Sequence, residues 1–143
     1  MSKKTMYILI SAAILIALII LLFPDNKKTS DIPASVAVDA STVGKRIDYF
    51  ASHGWEVEEI AEKNIIIPMD FSKEYEQYIQ LQDKQGLPLR EYAGRNAQLY
   101  VYDVKNYSPE SRKMLAELLV CDDTAVASMV YSEDGGSLRL SVK

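Results

Sequence analysis

The segment Met6–Phe23, MYILISAAILIALIILLF, constrains this chain more than any other. It is 18 residues without a charge, a proline or a glycine. As a helix rising about 1.5 Å per residue it would run roughly 27 Å, close to the ~30 Å hydrocarbon core of a bilayer. It is apolar all round, so it lacks the polar face of a helix lying on a globular core. Lys3 and Lys4 precede it, Pro24-Asp25 closes it, and Tyr7 stands where an interfacial aromatic belongs. The competing reading is a cleavable secretory signal, with an apolar core of about 7–15 residues and a small-x-small site just after it. Here the run is longer, and no such site follows; Ser35-Val36-Ala37 lies far downstream. The expectation is a retained transmembrane helix over 6–23, with the lipid bilayer as its partner.

Orientation follows from size more than from charge. A stub of residues 1–5 is too short to fold, so the working part lies C-terminal to the span. Lys3 and Lys4 flank one side, and Lys27 and Lys28, partly offset by Asp25, flank the other. The positive-inside bias is therefore shallow, and the common arrangement is expected: single pass in the cell membrane, N-terminus cytoplasmic, C-terminal domain extracytoplasmic. Residues 24–40 are polar, small and proline-punctuated, and read as a flexible tether. Residues 41–143 are left as the domain.

That domain is acidic. The chain carries 16 Lys+Arg and 20 Asp+Glu, net −4. Positions 29–143 hold 12 of the bases and 19 of the acids, net −7. A field of that sign repels polyanions, so no nucleic-acid partner is expected. One Cys and one His exclude an internal disulfide and a protein-only zinc site of the usual N/S type. No Gly-rich phosphate loop, G-x-S-x-G elbow or H-E-x-x-H pair occurs, and neither cofactor nor metal is expected.

Periodicity gives an α+β domain. Ser41 N-caps a helix with Val43, Ile47, Phe50 and Ala51 inward, ended by His53-Gly54. Trp55–Glu58 alternates as one strand, and the β-branched Ile65–Ile67 is a second. Asp70 or Ser72 caps a helix to Gln85 with Tyr75, Tyr78, Ile79 and Gln82 inward, and Gly86 stops it. Strands follow at Gln98–Val104, Met114–Cys121, Ala125–Tyr131 and Leu138–Val142, with Asp122-Asp123 as a hairpin turn. The expected architecture is two helices packed on one face of a mainly antiparallel sheet of four to six strands.

An ordered set of residues runs through this pattern: Gly54-Trp55-Glu56-Val57, Ile67-Pro68 with Phe71, Tyr75, Leu81-Gln82, Gln85-Gly86-Leu87, Leu89 and Tyr92-x-Gly94. Tyr102-x-Val104, Asn106-Tyr107 and Leu118-Leu119-Val120 complete it. Over residues 45–132 the chain resembles the bacterial domain-of-unknown-function family 4830. The resemblance implies a similar fold and a membrane-tethered, extracytoplasmic setting, and it implies no activity. It also favours strand over helix for Met114–Cys121. Where members of that family tend to be glycine-rich, this chain has Ala127-Ser128-Met129 and Ser137-Leu138-Arg139.

Candidate chemistry is sparse. Glu56 and Glu58 share a strand face at about 7 Å, inside the ~6.5–9.5 Å range of an inverting carboxylate pair. A cell-envelope hydrolase is thus the alternative function, set against the ordinary reading of a solvated strand face. His53 reads as a helix cap, Cys121 as a small core residue and Asp122-Asp123 as a turn. Eight of the nine tyrosines fall in the domain. Tyr75 and Tyr78 share a helix face, and Tyr100 and Tyr102 share a strand face. They are either core aromatics with a wet hydroxyl or a recognition surface for a protein or envelope component. The leading expectation is a non-catalytic binding module, with Tyr75, Tyr78, Tyr100 and Tyr102 as its candidate contacts.

Overall fold

The computed structural model describes residues 37–143. The span expected at 6–23 and most of the tether lie outside them. Among the described residues no helix is long and apolar enough to cross a membrane.

The described chain is α+β, with an antiparallel sheet of six strands and two α-helices. In chain order these are β1 (Val38–Asp39), α1 (Val43–Ala51), β2 (Val57–Ile66), α2 (Glu76–Gln85), β3 (Asn96–Val104), β4 (Met114–Cys121), β5 (Thr124–Ser132) and β6 (Arg139–Leu140). Short 3-10 turns precede α2 and flank β3. The sheet order is β1-β5-β4-β3-β2, with β6 also paired to β5. β4 and β5 form the expected hairpin through Asp122 and Asp123, both at positive φ (48° and 61°), as a type I′ turn requires. Met114–Cys121 is a strand despite its helix propensity, because it is the sheet's central ladder between β3 and β5.

Alternation along β3 and β4 builds two cores. Tyr100, Tyr102 and Val104 with Met114, Ala116, Leu118 and Val120 point to one face, where Tyr49 and Phe50 of α1 cover them. Ala97, Leu119 and Cys121 point to the other, where Ile79 of α2 and Leu89 cover them. The two helices therefore serve opposite faces, not one face as expected. The pattern on each strand reports that both faces are buried but not which helix lies on which.

Three local expectations also change. Pairing begins at Val38–Asp39, against Thr124 and Ala125, inside the stretch read as tether. Two residues make too short a run for periodicity to register. The cap of α1 is Thr42, whose hydroxyl accepts from the Lys45 N–H at 3.2 Å, and its buried face is Arg46, Tyr49 and Phe50, with Val43 55% exposed. The two short strands expected at 55–58 and 65–67 are one ten-residue strand, β2, with a bulge at Glu59–Ala61 that disguises the alternation.

Arg46 is buried because it has partners throughout. Its guanidinium lies 3.8 Å over the Tyr100 ring, its Nε donates to Glu59 at 3.0 Å and its Nη1 to the Ala40 carbonyl at 3.2 Å. The Tyr102 hydroxyl donates to the same Glu59 carboxylate at 3.0 Å.

The edge of β5 is closed in an unusual way. β1 pairs with it at Thr124–Ala125 and β6 at Val130–Tyr131, leaving the stretch between without a strand neighbour on that side. Gln82 of α2 fills the gap with its side-chain amide. The Ser128 N–H donates to Gln82 Oε1 at 2.8 Å, and Gln82 Nε2 donates back to the Ser128 carbonyl at 3.0 Å. Gln85 Nε2 donates to the same carbonyl at 2.9 Å. A carboxamide thus supplies the donor and acceptor of a missing strand residue. This explains why two glutamines lie in the buried stripe of α2. Gly86 ends the helix in the left-handed conformation, as expected.

Candidate functional site

The second sheet face is only part-covered. α2 and the segment leading into it lie over one end, and between them and the strands runs a groove of about 360 Å³. Its floor comes from alternate positions on four strands: Ile65 (β2), Leu99 (β3), Glu117 and Leu119 (β4) and Met129 (β5). Its walls are Ile67, Pro68, Phe71, Tyr75, Tyr78 and Leu89, with Glu74 and Arg139 among the lining residues. The volume and the apolar walls with few polar groups are those of a small binding cleft.

Glu117 is the chemical singularity of this groove. It is the one charged residue in β4, and strand alternation turns it to the same side as Leu119 and Cys121. The Tyr78 hydroxyl donates to Glu117 Oε1 at 3.0 Å. Burial pushes the Glu117 carboxyl up from the ordinary glutamate range, while the Tyr78 hydrogen bond and the charges of Lys63 and Arg139 pull partly against that shift. Burial, then the neighbouring carboxylate, also pushes the Tyr78 phenol well up. Tyr131 is pushed up as well, by burial and then by Glu117. The site is a carboxylate in a low-dielectric cleft with a phenol fixed against it.

The four tyrosines singled out from the sequence divide between the faces. Tyr75, 41% exposed, and Tyr78 line the groove. Tyr100 and Tyr102, at 6% and 0% exposure, are core residues under α1, and Tyr102 is spent on Glu59. Glu56 and Glu58 are both exposed, and Glu58 is paired with Lys105 at 3.1 Å. His53 is exposed, edge-on to Tyr49 at 5.4 Å, and burial and then Lys143 hold its imidazole below the usual value. Cys121 is buried and its thiol donates to the Asn96 carbonyl at 3.3 Å. Among the described residues no group of three or more His, Cys, Asp or Glu side chains is placed to hold a metal ion.

A wider concavity of about 650 Å³ lies at the strand ends, lined by Asn64, Asn96, Gln98, Asp122 and Asp123 among others. Its two aspartates make the hairpin turn, and Asp122 is already paired with Arg95. Nothing in it combines apolar walls with a buried polar group, so the groove is the better candidate. The residue that reasoning from sequence missed is Glu117. Its signal was present: a lone acid inside the apolar run MLAELLV.

Residues 49–133 match the model of the family described as a domain of unknown function, DUF4830. The chain belongs to this family. The DUF4830 match runs from Tyr49 on α1 to Glu133, just past β5, and so takes in every groove residue named above except Arg139. No curated protein and no solved structure matches the chain.

Proposed function

We propose that this DUF4830 protein is a membrane-anchored, extracytoplasmic binding module without catalytic activity, and that its ligand, a protein or cell-envelope component, enters the groove on the second sheet face. One observation carries the reading. Apolar side chains from four strands and the α2 region converge around one half-buried carboxylate, in a cleft large enough for one or two side chains. The anchor rests on the apolar run at 6–23, and the acidic balance beyond it is consistent with a partner that is not a polyanion.

The reading keeps part of the aromatic surface expected from the sequence. Tyr75 and Tyr78 belong to it, with Phe71 as a third aromatic. A photoreactive phenylalanine analogue at Tyr75 in intact cells tests it. A discrete adduct that Phe71→Ala weakens, and that the same analogue at exposed Tyr107 does not form, supports the proposal. Equal labelling from both positions contradicts it. Alkaline carbonate tests the anchor separately: an anchored chain stays in the membrane pellet, and release of the intact chain contradicts anchoring.

A further inference from the structure

We infer that the groove's occupant is a peptide segment presenting an arginine or lysine flanked by apolar residues, and that Glu117 is the group that pairs with the cation. The inference rests on the binding reading above and names its ligand.

The first argument is the state of the Glu117 carboxylate. Oε1 accepts from Tyr78, and among the described residues Oε2 has no protein partner. No buried side-chain nitrogen or oxygen among those residues is left without a partner, so Oε2 is not sealed in the core, and Glu117 is one of the residues lining the groove. A half-buried carboxylate with apolar neighbours and one oxygen free of protein partners is a site that a cationic group can pair with.

The second argument is that the protein's own cations do not complete it. Lys63 and Arg139 act on Glu117 through space, and among the described residues neither is salt-bridged to it. The Arg139 Nε donates instead to the Gly136 carbonyl at 3.2 Å. Tyr131, the remaining neighbour from β5, is a phenol and carries no charge to offer.

The third argument excludes the other occupants by chemistry. A purely apolar ligand such as an acyl chain would cover Oε2 without giving it a donor, so its binding would cost either an unpaired charge or the uptake of a proton. An anionic ligand would meet Glu117 and Glu74, opposed among the lining residues by Arg139 alone. A basic side chain satisfies both halves of the site: its aliphatic stem lies along Leu99 and Tyr78 while its head reaches Oε2. Leu119, Met129 and Ile65 take the flanking apolar residues.

The test uses the full chain in phosphatidylcholine nanodiscs and two capped, fluorescein-labelled peptides, Leu-Val-Arg-Val-Leu and Leu-Val-Gln-Val-Leu, read by anisotropy. The Arg peptide is expected to bind at least tenfold more tightly than the Gln peptide. Glu117→Gln is expected to remove that preference, so that the two peptides bind alike. Unaltered Trp55 fluorescence shows that the variant is folded. Equal affinity for the two peptides, a preference that survives Glu117→Gln, or no binding of either overturns the inference. The failures are distinguishable. If both peptides bind alike and Phe71→Ala weakens both, the groove still binds ligands and only the cation assignment falls. If Phe71→Ala also changes nothing, the binding reading falls with it. Displacement of both peptides alike by decanoate, or concentration-dependent dimerisation lost in Glu117→Gln, would assign the groove to an acyl chain or a second copy and overturn the inference.

Discussion

Replacing Gln82 with Leu removes the amide that stands in for a strand beside β5. The two residues are similar in volume, and the site has 0% exposure, so packing changes little and the loss is mainly polar. The Ser128 N–H loses its 2.8 Å acceptor and is left buried, at a cost of about 1–3 kcal/mol. The bond from Gln82 Nε2 to the Ser128 carbonyl also goes, worth about 1 kcal/mol, because that carbonyl keeps Gln85 as a donor. The gain from burying an apolar side chain offsets a fraction of this. The net expectation is a loss of about 2–4 kcal/mol, a large part of the ~5–15 kcal/mol typical of a domain. Urea unfolding at neutral pH, followed by the fluorescence of Trp55, the chain's one tryptophan, measures it. Gln80→Leu on the exposed face of the same helix is the control and should shift stability by less than about 0.5 kcal/mol. If Gln82→Leu matches that control, the amide does not close the sheet edge and the account of α2 is wrong.

Other perturbations follow from the same geometry. Burial raises the Glu117 carboxyl's folded pKa above its unfolded value, so the native state holds that proton more tightly and ionisation costs stability. Glu117→Gln should therefore be more stable than wild type at pH 8, the gap narrowing as pH falls through the raised pKa and closing below the ordinary glutamate range of about 4.3; thermal melts across pH check it. Arg46→Met should cost about 3 kcal/mol by stranding Glu59, and Arg46→Met with Glu59→Met should cost less than Arg46→Met alone, as urea midpoints would show. Asp123→Gly should raise stability by about 0.5–1 kcal/mol, because glycine holds its positive φ without a Cβ penalty. Gly86→Ala should lower stability by about 1 kcal/mol, read in the same urea titration, since the αL end of α2 then carries a side chain.

The parts of the fold that were legible are those with local chemical punctuation. Gly54 and Gly86 mark helix ends because a left-handed residue is needed there, and Asp122-Asp123 marks the hairpin because both positions sit at positive φ. Strand β3 could be read from its alternation, whereas β4 has helix propensity and could be read as a strand only through the Asp122-Asp123 turn into β5 and the family resemblance. What could not be read was assignment to faces: Phe50 and Ile79 are both apolar helix residues, and only the three-dimensional path puts them on opposite sides of the sheet. Helical spacing put Gln82 on the inward stripe, as found, but neither the burial of Gln85 nor the purpose of an amide there could be read, for a related reason. Their burial is set by the backbone edge they complete, which lies more than forty positions away. The same holds for the tyrosines. Tyr75 and Tyr78 reach a groove, while Tyr100 and Tyr102 lie under α1, although all four have the same side chain.

The central claim is that the second sheet face, around Glu117, is where this protein meets its ligand. Methyl NMR of the full chain in nanodiscs, titrated with the Leu-Val-Arg-Val-Leu peptide, tests it most directly. The account predicts shifts concentrated at Ile65, Leu99, Leu119 and Met129, with Leu118 and Val130 on the opposite face unmoved. Shifts that cluster instead around Leu118 and Val130, or that are absent at saturating peptide, would contradict it.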